Sequence, residues 1–210
     1  MTNKCTLVGA GEFFAEYFKC GQEDYLIAVD GGYAYLKELG MMPHLILGDF
    51  DSMPNELRDT LFDNDIEKVQ LPCEKDETDM YAALRYAINK GYFQISIYGA
   101  TGGRLDHTVA NFQTLLWLKE QGISAVIHDK NEEYFMLSKE SMDFQPMKGR
   151  MSLFAMTPVV EGVTLSGFKY CLENGELQYN FPLGVSNEFM GTSARIQIGE
   201  GIALVMIAKE

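Results

Sequence analysis

Up to about Ser138 the chain alternates two hydrophobic rhythms. Thr6-Leu7-Val8, Tyr25 to Val29, Leu45-Ile46-Leu47, Ile66 to Leu71, Ile95 to Tyr98 and Ala125 to His128 are runs of strand length, each closing near Gly, Pro or Asp. Between them lie helical stripes. Ala34, Leu36 and Leu39 mark one. Met80, Ala83, Leu84, Ala87 and Ile88 mark the next at i, i+3, i+4, i+7 and i+8, and Val109, Phe112, Leu115, Leu116 and Lys119 a third. The aromatic segment Phe13 to Phe18 also reads as a short helix. Strands alternating with helices predict a mostly parallel, Rossmann-like α/β domain over residues 1–138.

Past Ser138 the helical rhythm stops. Met151 to Met156, Val163 to Leu165, Tyr170 to Leu172, Leu177 to Phe181, Ala194 to Ile198 and Ala203 to Ile207 are short runs separated by Gly, Asn and Pro. They predict an all-β sandwich over 139–210, with Asn174-Gly175 as a hairpin turn. Asp129 to Gly149 reads as the connector, although Tyr134 to Leu137 within it can pair into either sheet.

With 47% apolar residues among 210, there is ample material for a core. The formal net charge of −13 argues against a nucleic-acid surface, which would be basic. It also means that an anionic nucleotide must be held locally, by metal, arginine and backbone N–H groups, whereas a cationic second substrate is drawn in by the field. Cys5, Cys20, Cys73 and Cys171 are scattered without a CxxC pair, so they suggest isolated reduced thiols rather than zinc ligands or a disulfide framework. No apolar leader or span of membrane length stands out, and the expectation is a soluble, cytoplasmic protein with no membrane partner.

Chemistry concentrates where the strand runs end. In Gly48-Asp49-Phe50-Asp51-Ser52 an extended backbone would aim Asp49 and Asp51 the same way and Phe50 into the core, with Ser52 capping the following turn. Asp76-Glu77-Thr78-Asp79 opens a helix, where Asp76 or Thr78 can serve as cap and Asp79 as ligand. Close carboxylates repel unless a cation stands between them, and Mg²⁺, which favours oxygen ligands, fits Asp49, Asp51, Asp79 and, secondarily, Asp76. The stretch Gly99 to Asp106 offers glycine amides, the Thr101 hydroxyl and the Arg104 fork to phosphate oxygens, although it is no Walker loop. His107 is either a base or a helix-start residue.

These phrases, with Asp30-Gly31-Gly32, Lys75-Asp76-Glu77-Thr78-Asp79, Gly102-Gly103-Arg104-Leu105-Asp106-His107-Thr108 and Gly184-Val185-Ser186-Asn187-Glu188, resemble the thiamine pyrophosphokinase family in order and spacing over nearly the whole chain. The resemblance implies transfer of pyrophosphate from ATP to the hydroxyl of thiamine, with Mg²⁺ as cofactor. It implies a homodimer with active sites at the subunit boundary. Carried over residue by residue, it implies metal ligation by Asp49, Asp51 and Asp79, with Asp76 and Asp30 in support. Gly31, Gly32, Thr101, Gly102, Gly103 and Arg104 would bind ATP phosphates. Asp106 would lie at the reacting groups, and Ser186 and Asn187 would bind thiamine. A pyrophosphokinase for another hydroxymethyl heterocycle, a Mg²⁺-dependent phosphohydrolase and a non-catalytic sensor are the rival readings.

Overall fold

The computed structural model describes residues 3–51, 53, 58 and 65–210, so the capping role expected of Ser52 lies outside the described residues. The fold is mixed α/β and divides into two compact units, Met1–Thr114 with Ile123–Lys130, and Leu115–Gly122 with Asn131–Glu210.

In the first unit, strands β1 (Lys4–Val8), β2 (Tyr25–Val29), β3 (Leu45–Gly48), β4 (Glu67–Gln70), β5 (Gln94–Tyr98) and β6 (Ser124–His128) run parallel in the order β6-β5-β1-β2-β3-β4. Four of the five residues of β1, β2 and β5, and all four of β3, are buried. Such continuous burial is what a parallel strand between other elements requires. The chain lays β1 to β4 out on one side, then returns to place β5 and β6 on the other. Between β1 and β5 it therefore has a topological switch point, the position at which open parallel sheets commonly carry ligand sites.

The described helices are α1 (Gly32–Glu38), α2 (Asp79–Asn89) and α3 (Leu105–Glu120). Thr78 caps α2, its hydroxyl accepting from the Tyr81 N–H at 3.2 Å, and Gly91, at φ +91°, follows its end. Met80, Ala83, Leu84 and Ala87 of the expected stripe are buried. In α3 the expected stripe is displaced: Val109 is exposed, and the buried side runs through Asn111, Thr114, Leu115 and Leu118. Asn111 fixes that rotation by donating its amide to the Ala100 carbonyl at 2.7 Å.

In the second unit, β7 (Glu132–Leu137), β9 (Gly149–Ala155), β12 (Gly184–Glu188) and β14 (Ala203–Lys209) pair antiparallel in the order β12-β9-β14-β7. A separate antiparallel sheet orders β8 (Ser141–Phe144), β10 (Val159–Ser166), β11 (Leu172–Gln178) and β13 (Ala194–Gln197) as β11-β10-β13-β8.

Several local expectations give way. Phe13 to Phe18 holds only a short 3₁₀ turn, Ala15–Tyr17. Residues five apart on an α-helix point to different sides, whereas here Phe13 and Phe18 touch each other at 5.3 Å while Phe13 stacks on Tyr35 and Phe18 on the edge of Tyr98. The connector expected between Asp129 and Gly149 is largely strand, with Tyr134 to Leu137 paired to β14 and β8 to β13. Asn174-Gly175 is no hairpin turn but lies inside β11. Asn174, at φ +46°, bulges there, its N–H donating to the Thr164 hydroxyl at 3.1 Å. Opposite it β10 carries its own irregularity at Gly162, φ +67°, so Glu161 pairs Glu176, Val163 pairs Gly175 and Leu165 pairs Leu172.

Candidate active site

Because the six strands are parallel, the loops after them share one edge of the sheet. Glycine lets those loops touch. Gly11 N–H donates to Gly99 O and Glu12 N–H to Thr101 O, both at 2.8 Å. A Cβ on Gly99, at φ +61°, would stand 2.4 Å from Gly9 O, and one on Gly32 would stand 2.0 Å from Val8 O. Gly31 would bring a Cβ to 3.1 Å from that of Ala10. Close packing against the end of β1 thus accounts for Gly31 and Gly32 without any ligand.

The acidic phrase after β3 is not extended. Phe50 sits at φ +61° with its ring buried, and the Asp49 carboxylate accepts from the Asp51 N–H at 3.1 Å. Phe50 does enter the core, but a turn, not strand alternation, brings Asp49 and Asp51 to one side. Arg58 braces it by donating to the carbonyls of Phe50 and Asp51. Asp49, Asp51 and the Cys73 thiol each offer a ligand atom within 4.8 Å of the others. Hydrogen bonding to Asp51, some desolvation and the charges of Asp51 and Asp49 hold that thiol above the ordinary cysteine range.

Asp79, the first residue of α2, reaches the same neighbourhood through Lys75. The Lys75 ammonium lies 3.5 Å from Asp49 Oδ2 and 3.2 Å from Asp79 Oδ1, with its side chain 13% exposed. Asp79 Oδ1 is cut off from solvent and forms an ion pair there without a well-formed hydrogen bond. Burial pushes the Asp79 carboxyl above the usual range. Lys75 pulls it back, and the charges of Asp49 and Asp30 push it further up. For Lys75, burial favours the neutral form, but Asp79 and Asp49 outweigh it and the ammonium is strengthened. Asp76 is exposed on the turn before the helix, with Thr78, not Asp76, as the cap. The sequence gives no functional role to Lys75 or Cys73. Lys75 belongs to the quoted Lys75-to-Asp79 phrase, but only the fold reveals that its ammonium lies between two carboxylates.

A two-carboxylate point with a poorly satisfied, solvent-excluded oxygen, flanked by a third carboxylate, has the donor chemistry of a hard divalent cation.

The loop after β5 is glycine-bent at Gly99, Gly102 and Gly103, with φ of +61°, +74° and +60°. Glu12 packs over Gly102, leaving no room for a Cβ. Thr101 is buried, and its hydroxyl donates to Asp129 at 2.6 Å. Arg104 and Asp106 are both exposed and form a two-pronged pair, Nη2 to Oδ2 at 2.6 Å and Nε to Oδ1 at 3.2 Å. Hydrogen bonding from Arg104 holds Asp106 below the usual carboxylate range. His107 is exposed, its N–H donating to Asp106. In the second unit, Ser186 is exposed at φ +60°, and its N–H donates to the Ser152 hydroxyl. Asn187 is buried and engaged at both ends of its amide: Nδ2 donates to Tyr170 O at 2.7 Å, while Oδ1 accepts from Tyr170 N and Glu188 N.

Residues 19–127 match the family description "Thiamin pyrophosphokinase, catalytic domain", and residues 139–203 match "Thiamin pyrophosphokinase, vitamin B1 binding domain". The chain is 32% identical to a thiamine pyrophosphokinase of Bacillus subtilis over 86% of its own length and 85% of that protein. Among solved structures, a thiamine pyrophosphokinase from Bacillus subtilis superposes with a TM-score of 0.87 at 27% identity, covering 99% of this chain and 100% of that one. A thiamin pyrophosphokinase from Geobacillus thermodenitrificans does so with 0.85 at 31% identity, covering 98% and 97%. With both parts of its length matched in sequence and its fold matched end to end, the chain belongs to the thiamine pyrophosphokinase family of ATP-using enzymes.

Proposed function

We propose that this enzyme transfers the terminal pyrophosphoryl unit of ATP to the primary hydroxyl of thiamine, giving thiamine diphosphate and AMP, with Mg²⁺ held by Asp49, Asp51 and Asp79 and supported by Asp76. The observation that carries the metal reading is the cation position shared by Asp49, just after β3, and Asp79, which opens α2; the two meet at the Lys75 ammonium. Mg²⁺ bound there would neutralise phosphate charge and polarise the attacked phosphorus.

The remaining tasks belong to the chain's own groups. A new bond forms between the thiamine oxygen and the β-phosphorus as the bridge to the α-phosphate breaks. Such in-line transfers depend on positioning and charge more than on a strong base. Asp106, already held ionised by Arg104, is a poor proton acceptor; its role is to aim the guanidinium, and the hydroxyl proton leaves to water. Arg104 and the bent backbone of Gly102 and Gly103 orient the polyphosphate, while Thr101, Gly31 and Gly32 shape the floor beneath it. Ser186 presents itself to thiamine on the irregular stretch of β12 that Asn187 clamps. We assign the nucleotide to a Rossmann-like domain, 1–138, and thiamine to a β-sandwich, 139–210, in a homodimer. The strand order with its switch point supports the first assignment. The acidic net charge favours the thiazolium cation.

The test is one mixture of protein, thiamine, ATP and MgCl₂ followed by mass detection. Thiamine diphosphate and AMP in equal amounts, abolished by Asp79→Asn, are expected. Inorganic phosphate without thiamine diphosphate would overturn the reading in favour of a phosphohydrolase.

A further inference from the structure

Lys75 places a positive charge where the proposed metal would bind. Its ammonium is ion-paired with both Asp49 and Asp79 and donates a hydrogen bond to the Pro72 carbonyl at 3.1 Å, so three oxygens surround it. The side chain is largely buried, which is costly for an ammonium unless it is fully partnered. Two half-buried carboxylates drawn to one point are costly in turn unless a cation joins them. Each charge therefore keeps the others in place.

Resting on the metal reading above, we propose that Lys75 is a positioning residue. It is an internal counter-ion that keeps Asp49 and Asp79 convergent in the metal-free protein, and an incoming divalent ion must displace it. Mg²⁺ takes its oxygens at about 2.0–2.1 Å, and an ammonium on the same oxygens would face a doubly charged neighbour across a few ångströms. The two cations exclude each other. Lysine suits the exchange because its ammonium rides on a flexible four-carbon stem and forms no rigid fork. Once displaced, it is a free positive charge at the rim of the site, available to an arriving polyphosphate. Metal binding and nucleotide binding are thereby coupled through one side chain.

A static ion pair would instead leave metal affinity indifferent to the lysine. The experiment is calorimetric titration of Mn²⁺ into the purified full chain without nucleotide, for wild type, Lys75→Met, Lys75→Gln and Asp79→Asn, with circular dichroism confirming each fold. Thermal melts are recorded with and without Mn²⁺. Removing the competitor should tighten Mn²⁺ binding by about ten-fold, within the usual span of coupling between sites. The neutral variants should melt below wild type without metal and regain most of that loss with it. Either folded variant decides the matter. Mn²⁺ binding that is unchanged or weaker in Lys75→Met and Lys75→Gln, while Asp79→Asn weakens it, overturns the counter-ion role and leaves the metal reading standing. If neither wild type nor the neutral variants bind Mn²⁺, both are overturned.

Discussion

Replacing Phe50 tests whether the metal-side turn is held by the core beneath it. Phe50 lies between the two aspartates of its phrase, yet its ring is 2% exposed and clusters with Val8, Tyr33, Leu36, Ile46, Met53 and Tyr98. At roughly 25 cal/mol per Å² over about 150 Å² of ring surface, transfer from water alone is worth about 4 kcal/mol. Phe→Ala changes in cores cost about 3–5 kcal/mol. Against a total stability of about 5–15 kcal/mol, Phe50→Ala should move the urea midpoint far to the left with little change in slope. Phe50→Gly supplies a sign test. It removes the same ring, but residue 50 has φ +61°, where a side chain is strained and glycine is not. Glycine should therefore be at least as stable as alanine here, the reverse of the ordinary ranking. Urea unfolding of the three proteins, followed by tryptophan fluorescence and circular dichroism, measures both effects. A loss below about 1 kcal/mol in Phe50→Ala, at the level of ordinary surface substitutions, would refute the anchoring argument. Glycine markedly less stable than alanine would refute the left-handed turn.

Three further outcomes follow from the geometry. Gly99→Ala must move the Gly9 carbonyl and adopt φ +61°, so it should cost more than about 1–2 kcal/mol in a thermal melt and weaken ATP binding in calorimetry. Asn187→Ala strips partners from the Tyr170 N–H and carbonyl and should cost about 2–4 kcal/mol; a normal melt with lost thiamine affinity would show that the amide serves the ligand instead. Because Arg104 depresses the Asp106 pKa in the folded protein, their pairing contributes at neutral pH and is lost only as pH falls through that lowered value, below the unfolded carboxylate range. Carboxyl-carbon NMR should show Asp106 titrating low in wild type and near the ordinary range in Arg104→Gln.

What could be read from the sequence divides along physical lines. The strands Tyr25 to Val29 and Leu45 to Leu47 emerge almost to the residue, since continuous burial leaves a continuous apolar run. The buried stripe of α2 is equally plain, because Thr78 caps it and Gly91 follows its end. Edges and bends are harder. Val185, Ser186 and Asn187 of β12 do not alternate as a strand should; the register shift against β9 between Gly184 and Asn187 explains why. The same dipeptide, Asn-Gly, makes a turn when strands end and a bulge when pairing continues, and only the partner strand decides which. At the site, the acidic residues could be singled out from their spacing. The part of Lys75 could not, because a lysine among aspartates looks the same in sequence whether it is solvated or enclosed.

The paired irregularities of β10 and β11 bear on how this part of the chain tolerates length changes. Gly162 adds a residue to one strand and Asn174 adds one to the other, so the surplus cancels by Leu165 and Leu172. Val160, Val163 and Leu165 all stay inward despite the uneven step between the first two. Excising either residue alone would leave an ordinary two-residue step, so the later side chains on its strand would keep their faces and only the local bend would be lost. Each surplus residue can therefore come or go without turning Val163 or Leu165 out of the core.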